Sequence, residues 1–118
     1  MTFHYLASPY SDEDPLVREK RYLEALEGLF KLSEKGIVAY SPIVHFHPLS
    51  KIYSIPGEAN DWTWHNIPMI QASDGLIILM SYHWGTSTGI DQERMWAKEF
   101  RKSIETLDPD GWVLEVLK

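Results

Sequence analysis

The stretch "DGLIILMS", residues 74–81, sets the tightest limit on how this chain can fold. A strand with one wet face alternates apolar and polar residues, but Leu76 to Met80 run without a polar interruption. Such a run needs cover on both faces, which parallel sheets flanked by helices provide. The neighbouring text supplies the helices. "DEDPLVREKRYLEALEGLFKLSEKG" offers Asp14 as a cap and Pro15 in the first turn, where its missing N–H costs nothing. Leu16, Leu23, Leu26 and Phe30 recur at steps of seven, three and four, giving one apolar stripe, and Gly36 suits a left-handed stop.

The remaining segments follow the same alternation. "TFHYLAS" is a short β-prone run that stops at Pro9, and "IVAYS" is a second strand ended by Pro42. From there to about Asn60 the chain reads as irregular, rich in Pro, Ser, His and Gly, and long enough to suggest a functional excursion. "NDWTWHNIPMIQAS" reads as partly helical, with Pro68 kinking it or opening a new first turn. "GTSTGIDQERMWAKEF" is a turn followed by a helix, then come a weak "IETL", a "DPDG" turn and "WVLEVL" as a closing strand. The expected fold is α/β: a doubly wound, mainly parallel five-stranded sheet flanked by helices, Rossmann- or flavodoxin-like, with right-handed crossovers.

Composition narrows the function classes. A chain of 118 residues with 44% hydrophobic content is the size of one domain with one packed core. Its 17 acidic and 11 basic residues give a net charge of −6 with no Lys/Arg stripe, which argues against duplex nucleic acid as a partner. The absence of cysteine excludes disulfides and thiolate zinc sites. "MTFHYLASPYSDEDP" lacks the basic start and apolar stretch of a signal peptide, and no segment reads as membrane-spanning. The expected location is cytoplasmic.

In doubly wound sheets ligands bind beyond the carboxyl ends of the strands. That edge is expected to gather "SPYSDED", "SPIVHFHPL" and "SYHWGTSTG". The third leads into a helix whose apolar arc holds Ile90, Ala97, Phe100 and Ile104, and Glu93 falls inside that arc. Two readings stand. One is a boundary glutamate bonded to Arg94 or a backbone N–H, serving only packing specificity. The other is a nucleophile or base near the strand edges, kept ionised by helix N-terminal N–H groups.

Four matches in order resemble the nucleoside 2-deoxyribosyltransferase-like superfamily, most closely a small branch of it. They are "YLASPYS" at the end of strand one, His47-Pro48, "ASDGLIIL", and "HWGTSTGIDQE", where Trp84, Ser87, Gly89 and Glu93 fit Trp-x-x-Ser-x-Gly-x-x-x-Glu. The resemblance runs from about Tyr5 to Ala97, and residues 1–118 read as a single domain of this kind.

The resemblance implies that Glu93 attacks C1′ of a nucleoside or nucleotide, releasing the base and leaving a glycosyl-enzyme that water or a second base resolves. Tyr5 would orient the nucleophile. Serine at position 87, where enzymes acting on free nucleosides carry Asp, tilts the expectation to a 5′-monophosphate, although no arginine follows "SPYS". Ser8, Pro9, Tyr10, His47, Trp84, Ser87 and Gly89 are the expected substrate-binding residues, with Glu93, Tyr5 and Asn66 at the chemistry. Asn66 stands where the family carries an aspartate that manages protons on the base, and an amide cannot do so. His65, Asp61 or Asp74 could substitute, Asn66 could hydrogen-bond the base without full transfer, or the chain could be a binding-only descendant.

His45 and His47, on one side of an extended segment, make a zinc site with His65 conceivable, but no Cys or His-x-x-x-His pattern supports one. His47 reads better as lining the base pocket or fixing its loop. Of Trp62, Trp64 and Trp84, one is expected to touch ligand, with core or interface packing as the alternative. The leading expectation is an N-glycosidase or deoxyribosyltransferase acting on a (deoxy)nucleoside 5′-monophosphate, without metal or cofactor. The runner-up is a nucleotide-binding or regulatory module. By family habit, a homo-oligomer, dimer or tetramer, is implied.

Overall fold

The computed structural model describes residues 2–53, 55 and 62–117. Its five strands, β1 (His4–Ala7), β2 (Ala39–Tyr40), β3 (Gly75–Leu79), β4 (Ser103–Asp108) and β5 (Val113–Val116), form one sheet in the order β2-β1-β3-β4-β5. β1 pairs in parallel with β2 and β3, and β3 with β4, while β5 returns antiparallel through the "DPDG" turn. This is the expected doubly wound, mainly parallel sheet, in flavodoxin-like order. β3 is buried along its whole length, as its unbroken apolar run requires.

The helices are α1 (Pro15–Glu34), α2 (Pro42–Tyr53), α3 (Thr63–Ala72) and α4 (Thr88–Glu99). Leu32 of α1 packs with Leu6, Ile77, Leu79 and Leu107 on one face of the sheet. Ile70 of α3 and Ile90 and Ala97 of α4 pack with Tyr5, Ala7, Leu76 and Ile78 on the other. A third cluster joins α1 to α2 and Trp62 through Ala25, Ile43 and Phe46. Among the described residues no helix is long and apolar enough to cross a membrane.

α1 begins and ends as its sequence requires. Asp14 accepts from Leu16 N at 2.9 Å, Pro15 occupies the first turn, and Gly36 takes φ 75° beyond the end. Its packing face differs from expectation. Leu16, Leu23, Leu26 and Phe30 are 78, 54, 42 and 58% exposed, and the helix docks instead through Ala25, Gly28 and Leu32. The physical reason is proximity: a Cβ built on Gly28 would sit 3.3 Å from Leu6 and 3.4 Å from Leu79. The small-residue face lets the helix axis approach the sheet, and the leucine stripe is left outward.

Element limits also differ from expectation. The stretch after β2 is helical, not irregular: Ser41 caps α2 by accepting from Val44 N at 3.2 Å, with Pro42 at the first turn and Pro48 inside. The rest of that stretch through Asp61, apart from Ile55, lies outside the described residues. α3 runs as one helix through Pro68, which therefore opens no new first turn. α4 stops at Glu99, with Arg101 at φ 58°, so Ile104 belongs to β4 and not to the helical arc.

Candidate active site

The crevice lies where β1 and β3 diverge: the chain leaves β1 outward toward β2 and later returns to β3 on the other side. A cavity of about 210 Å³ occupies it. Ser8, Pro9 and Tyr10 after β1, Ser87, Gly89 and Glu93 of the β3–α4 connection and α4, and Asn66 of α3 all line this space. Seven residues singled out in the sequence thus meet around one volume, although more than eighty positions separate the first from the last.

Glu93 is 7% exposed and sits on the inner face of α4 between Ile90 and Ala97. The hydroxyl of fully buried Tyr5, on β1, donates to Glu93 Oε2 at 2.5 Å. Oε1 has no hydrogen bond among the described residues. Burial raises the Glu93 pKa to about 8, against the opposing effect of the Tyr5 hydrogen bond. This corrects the expectation of a carboxylate kept ionised by the helix terminus: that influence fades beyond the first turn, and Glu93 lies deeper than Thr88 to Asp91. Tyr5 is pushed well above the phenol range by burial, then by the charge of Glu93, so it remains a donor. Tyr40 lies beside Tyr5 in the sheet with rings 5.8 Å apart, and burial and the Glu93 charge raise its pKa as well.

Two buried polar atoms of cavity-lining residues, the Ser8 hydroxyl and Asn66 Oδ1, have no hydrogen-bond partner among the described residues. Unsatisfied groups of this kind are costly in a packed interior. Neither described candidate for replacing the family aspartate, Asp74 or His65, lines the cavity. Asp74 precedes β3, at the strand's amino end, where its N–H bonds Phe3 O at 2.8 Å. His65 accepts or donates at Nδ1 with the Tyr40 hydroxyl at 3.1 Å, stacks on His45 at 4.9 Å, and does not line the cavity. Asp61 lies outside the described residues.

His47 does not line this cavity. It stands behind Tyr10, whose hydroxyl it meets at 2.7 Å through Nδ1, while Nε2 lies 2.6 Å from Glu19 Oε2 and Tyr22 stacks on the ring at 4.5 Å. Of the two readings, the arrangement matches a residue that fixes the loop. The bond to His47 draws the Glu19 carboxyl below its usual range. Because His45 and His47 sit on a helix, the proposed histidine set does not converge, and no metal-holding group of three occurs among the described residues. Burial, then His65, lowers the His45 pKa. Trp84 starts a 3-10 turn and packs on the core away from the cavity, while Trp62 lines it and Trp64 is exposed.

The structure also adds residues. Gln92 and Trp96 line the cavity from the Glu93 face of α4, as the helical spacing 89, 92, 93, 96 could have indicated. Arg21 reaches it from α1, donating to Ser11 O at 2.8 Å, and so supplies a cation that no local pattern after "SPYS" announces. Only its phase with Ala25, Gly28 and Leu32 marks it as inward-facing.

A family described as "Domain of unknown function (DUF1937)" matches residues 2–108. The chain belongs to the DUF1937 family. The DUF1937 match spans β1 to β4, and therefore every described element that lines the cavity. No curated protein matches the sequence.

Proposed function

We propose that this DUF1937 member cleaves the N-glycosidic bond of a (deoxy)nucleoside 5′-monophosphate through a glutamyl-glycosyl intermediate. The observation that carries this reading is the Tyr5–Glu93 pair, a buried carboxyl held by a phenol and opening on a cavity with Ser87, Gly89 and Asn66. The order of motifs, which resembles nucleoside 2-deoxyribosyltransferases, supports the same assignment. In the first step ionised Glu93 forms a bond to C1′ as the C1′–N bond breaks, and the electron pair leaves with the base. In the second, a water oxygen bonds to C1′, the ester C–O bond breaks, the carboxylate returns and the water's proton is released. An acceptor base in place of water gives transfer.

Tyr5 positions the nucleophile. Asn66 offers the base a hydrogen-bond acceptor, Oδ1, and no proton. Arg21 and the Ser87 region supply the cation and hydroxyl suited to a phosphate. At about 210 Å³ the cavity is smaller than the ~300–1,000 Å³ of sites that enclose drug-sized ligands, so part of a nucleotide would extend through its mouth.

Base release from a panel of nucleosides and their 5′-monophosphates, followed by chromatography, tests the proposal. Activity on a monophosphate, lost in Glu93→Gln and weakened through KM in Arg21→Ala, is the expected result; turnover retained in Glu93→Gln would remove the nucleophile. The runner-up, a nucleotide-binding module, draws on Asn66 and on the raised Glu93 pKa. It gains if no nucleotide is cleaved but one raises the melting temperature.

A further inference from the structure

The outward face of α1 is composed of Leu16, Lys20, Leu23, Leu26, Glu27 and Phe30 before its polar end at Ser33 and Glu34. Four large apolar side chains along one exposed helix make a strip that is unusual for a surface left in water. Its spacing is self-complementary. Leu16 and Phe30 each lie seven positions from Leu23, so a second α1 laid antiparallel about Leu23 sets Leu16 against the partner's Phe30 and Leu23 against the partner's Leu23. The charges obey the same symmetry. Lys20 and Glu27 have no ion pair among the described residues, and in this arrangement Lys20 lies within one residue's rise, ~1.5 Å, of the level of the partner's Glu27. The two-fold axis makes that contact twice.

From this pattern we infer that α1 is the docking face for a second copy of this chain, in an isologous antiparallel helix pair. Leu16 also borders a second cavity, of about 510 Å³, where Pro15 and Ile55 meet the charged Arg18, Glu19 and Lys51. A partner of unrelated sequence has no reason to match both the seven-residue symmetry and the reversed charges; a second copy matches them by construction.

Sedimentation equilibrium at micromolar concentrations tests the inference. The expected result is a dimer for the natural chain and a monomer for Leu23→Asp, with the helical circular dichroism unchanged because the side chain is exposed. Lys20→Glu faces two like-charged pairs and is expected to weaken association roughly tenfold. Adding Glu27→Lys to it reverses both partners and restores the dimer. A natural chain that stays monomeric overturns the proposal, as does a dimer indifferent to Leu23→Asp. A double reversal that fails to restore association overturns the antiparallel register.

Discussion

Glu93 is an acid placed where ionisation is expensive, and that cost has opposite consequences for stability and for chemistry. Its pKa rises from the ordinary 4.5 to about 8 on folding. Between those values the folded chain retains a proton that the unfolded chain releases, so this group's contribution to stability is fully present below about 4.5 and is lost as the pH climbs to about 8. In Glu93→Gln, which is neutral and nearly the same shape, we expect that loss to vanish: thermal unfolding across this range should show the variant gaining on the natural chain as pH rises. Under the proposed mechanism turnover should run the other way, because that mechanism needs the carboxylate, with kcat/KM climbing to a plateau near or above pH 8. Tyr5→Phe removes the one hydrogen bond that favours ionisation, so the climb should move to higher pH and activity at neutral pH should fall ~10-fold or more; an unmoved profile would deny Tyr5 this role. At this scale the sequence displayed Glu93 as a carboxyl out of place on an apolar arc, and Tyr5 through its motif. It did not display Arg21, which converges on the cavity only because α1 folds back over the sheet, nor the direction of the Glu93 shift, which depends on how completely neighbours exclude water.

Elements were legible where local chemistry decides them and illegible where packing does. The caps of α1 could be read from Asp14, Pro15 and Gly36, since each satisfies backbone groups within a few residues. Its docking face could not, because periodicity ranks faces by apolar area, whereas Gly28 acts by having no side chain at the closest approach to Leu6 and Leu79. Gly28→Leu is therefore expected to cost ~1–3 kcal/mol in denaturant-induced unfolding by overpacking this seam. α2 carried a start signal in Ser41-Pro42, obscured by Pro48, which removes one donor without dissolving the helix. Ser41→Ala should cost ~1 kcal/mol, read in the same assay, by leaving the Val44 N–H without its cap.

For the whole molecule, alternation of strands and helices was enough to anticipate a doubly wound sheet, but strand order was not written locally: it follows from how crossovers distribute α1, α3 and α4 over the two faces. The placement of the crevice between β1 and β3 follows from that order. β1 and β3 lie inside the sheet and β3 is buried throughout, so amide hydrogen exchange should be slowest there and faster in β5, which is largely exposed. Equal protection of β3 and β5 would contradict this ranking. The Tyr5 hydroxyl projects from that interior strand, so the acid it grips is anchored to the buried centre of the sheet. The rim around it, Ser8 to Asp12 with His83, Thr86 and Ser87, is mostly connecting backbone. If the proposed chemistry holds, a carboxyl fixed to the sheet beneath a rim of loops lets substitutions in those loops retune which molecule is admitted while the reaction underneath stays the same.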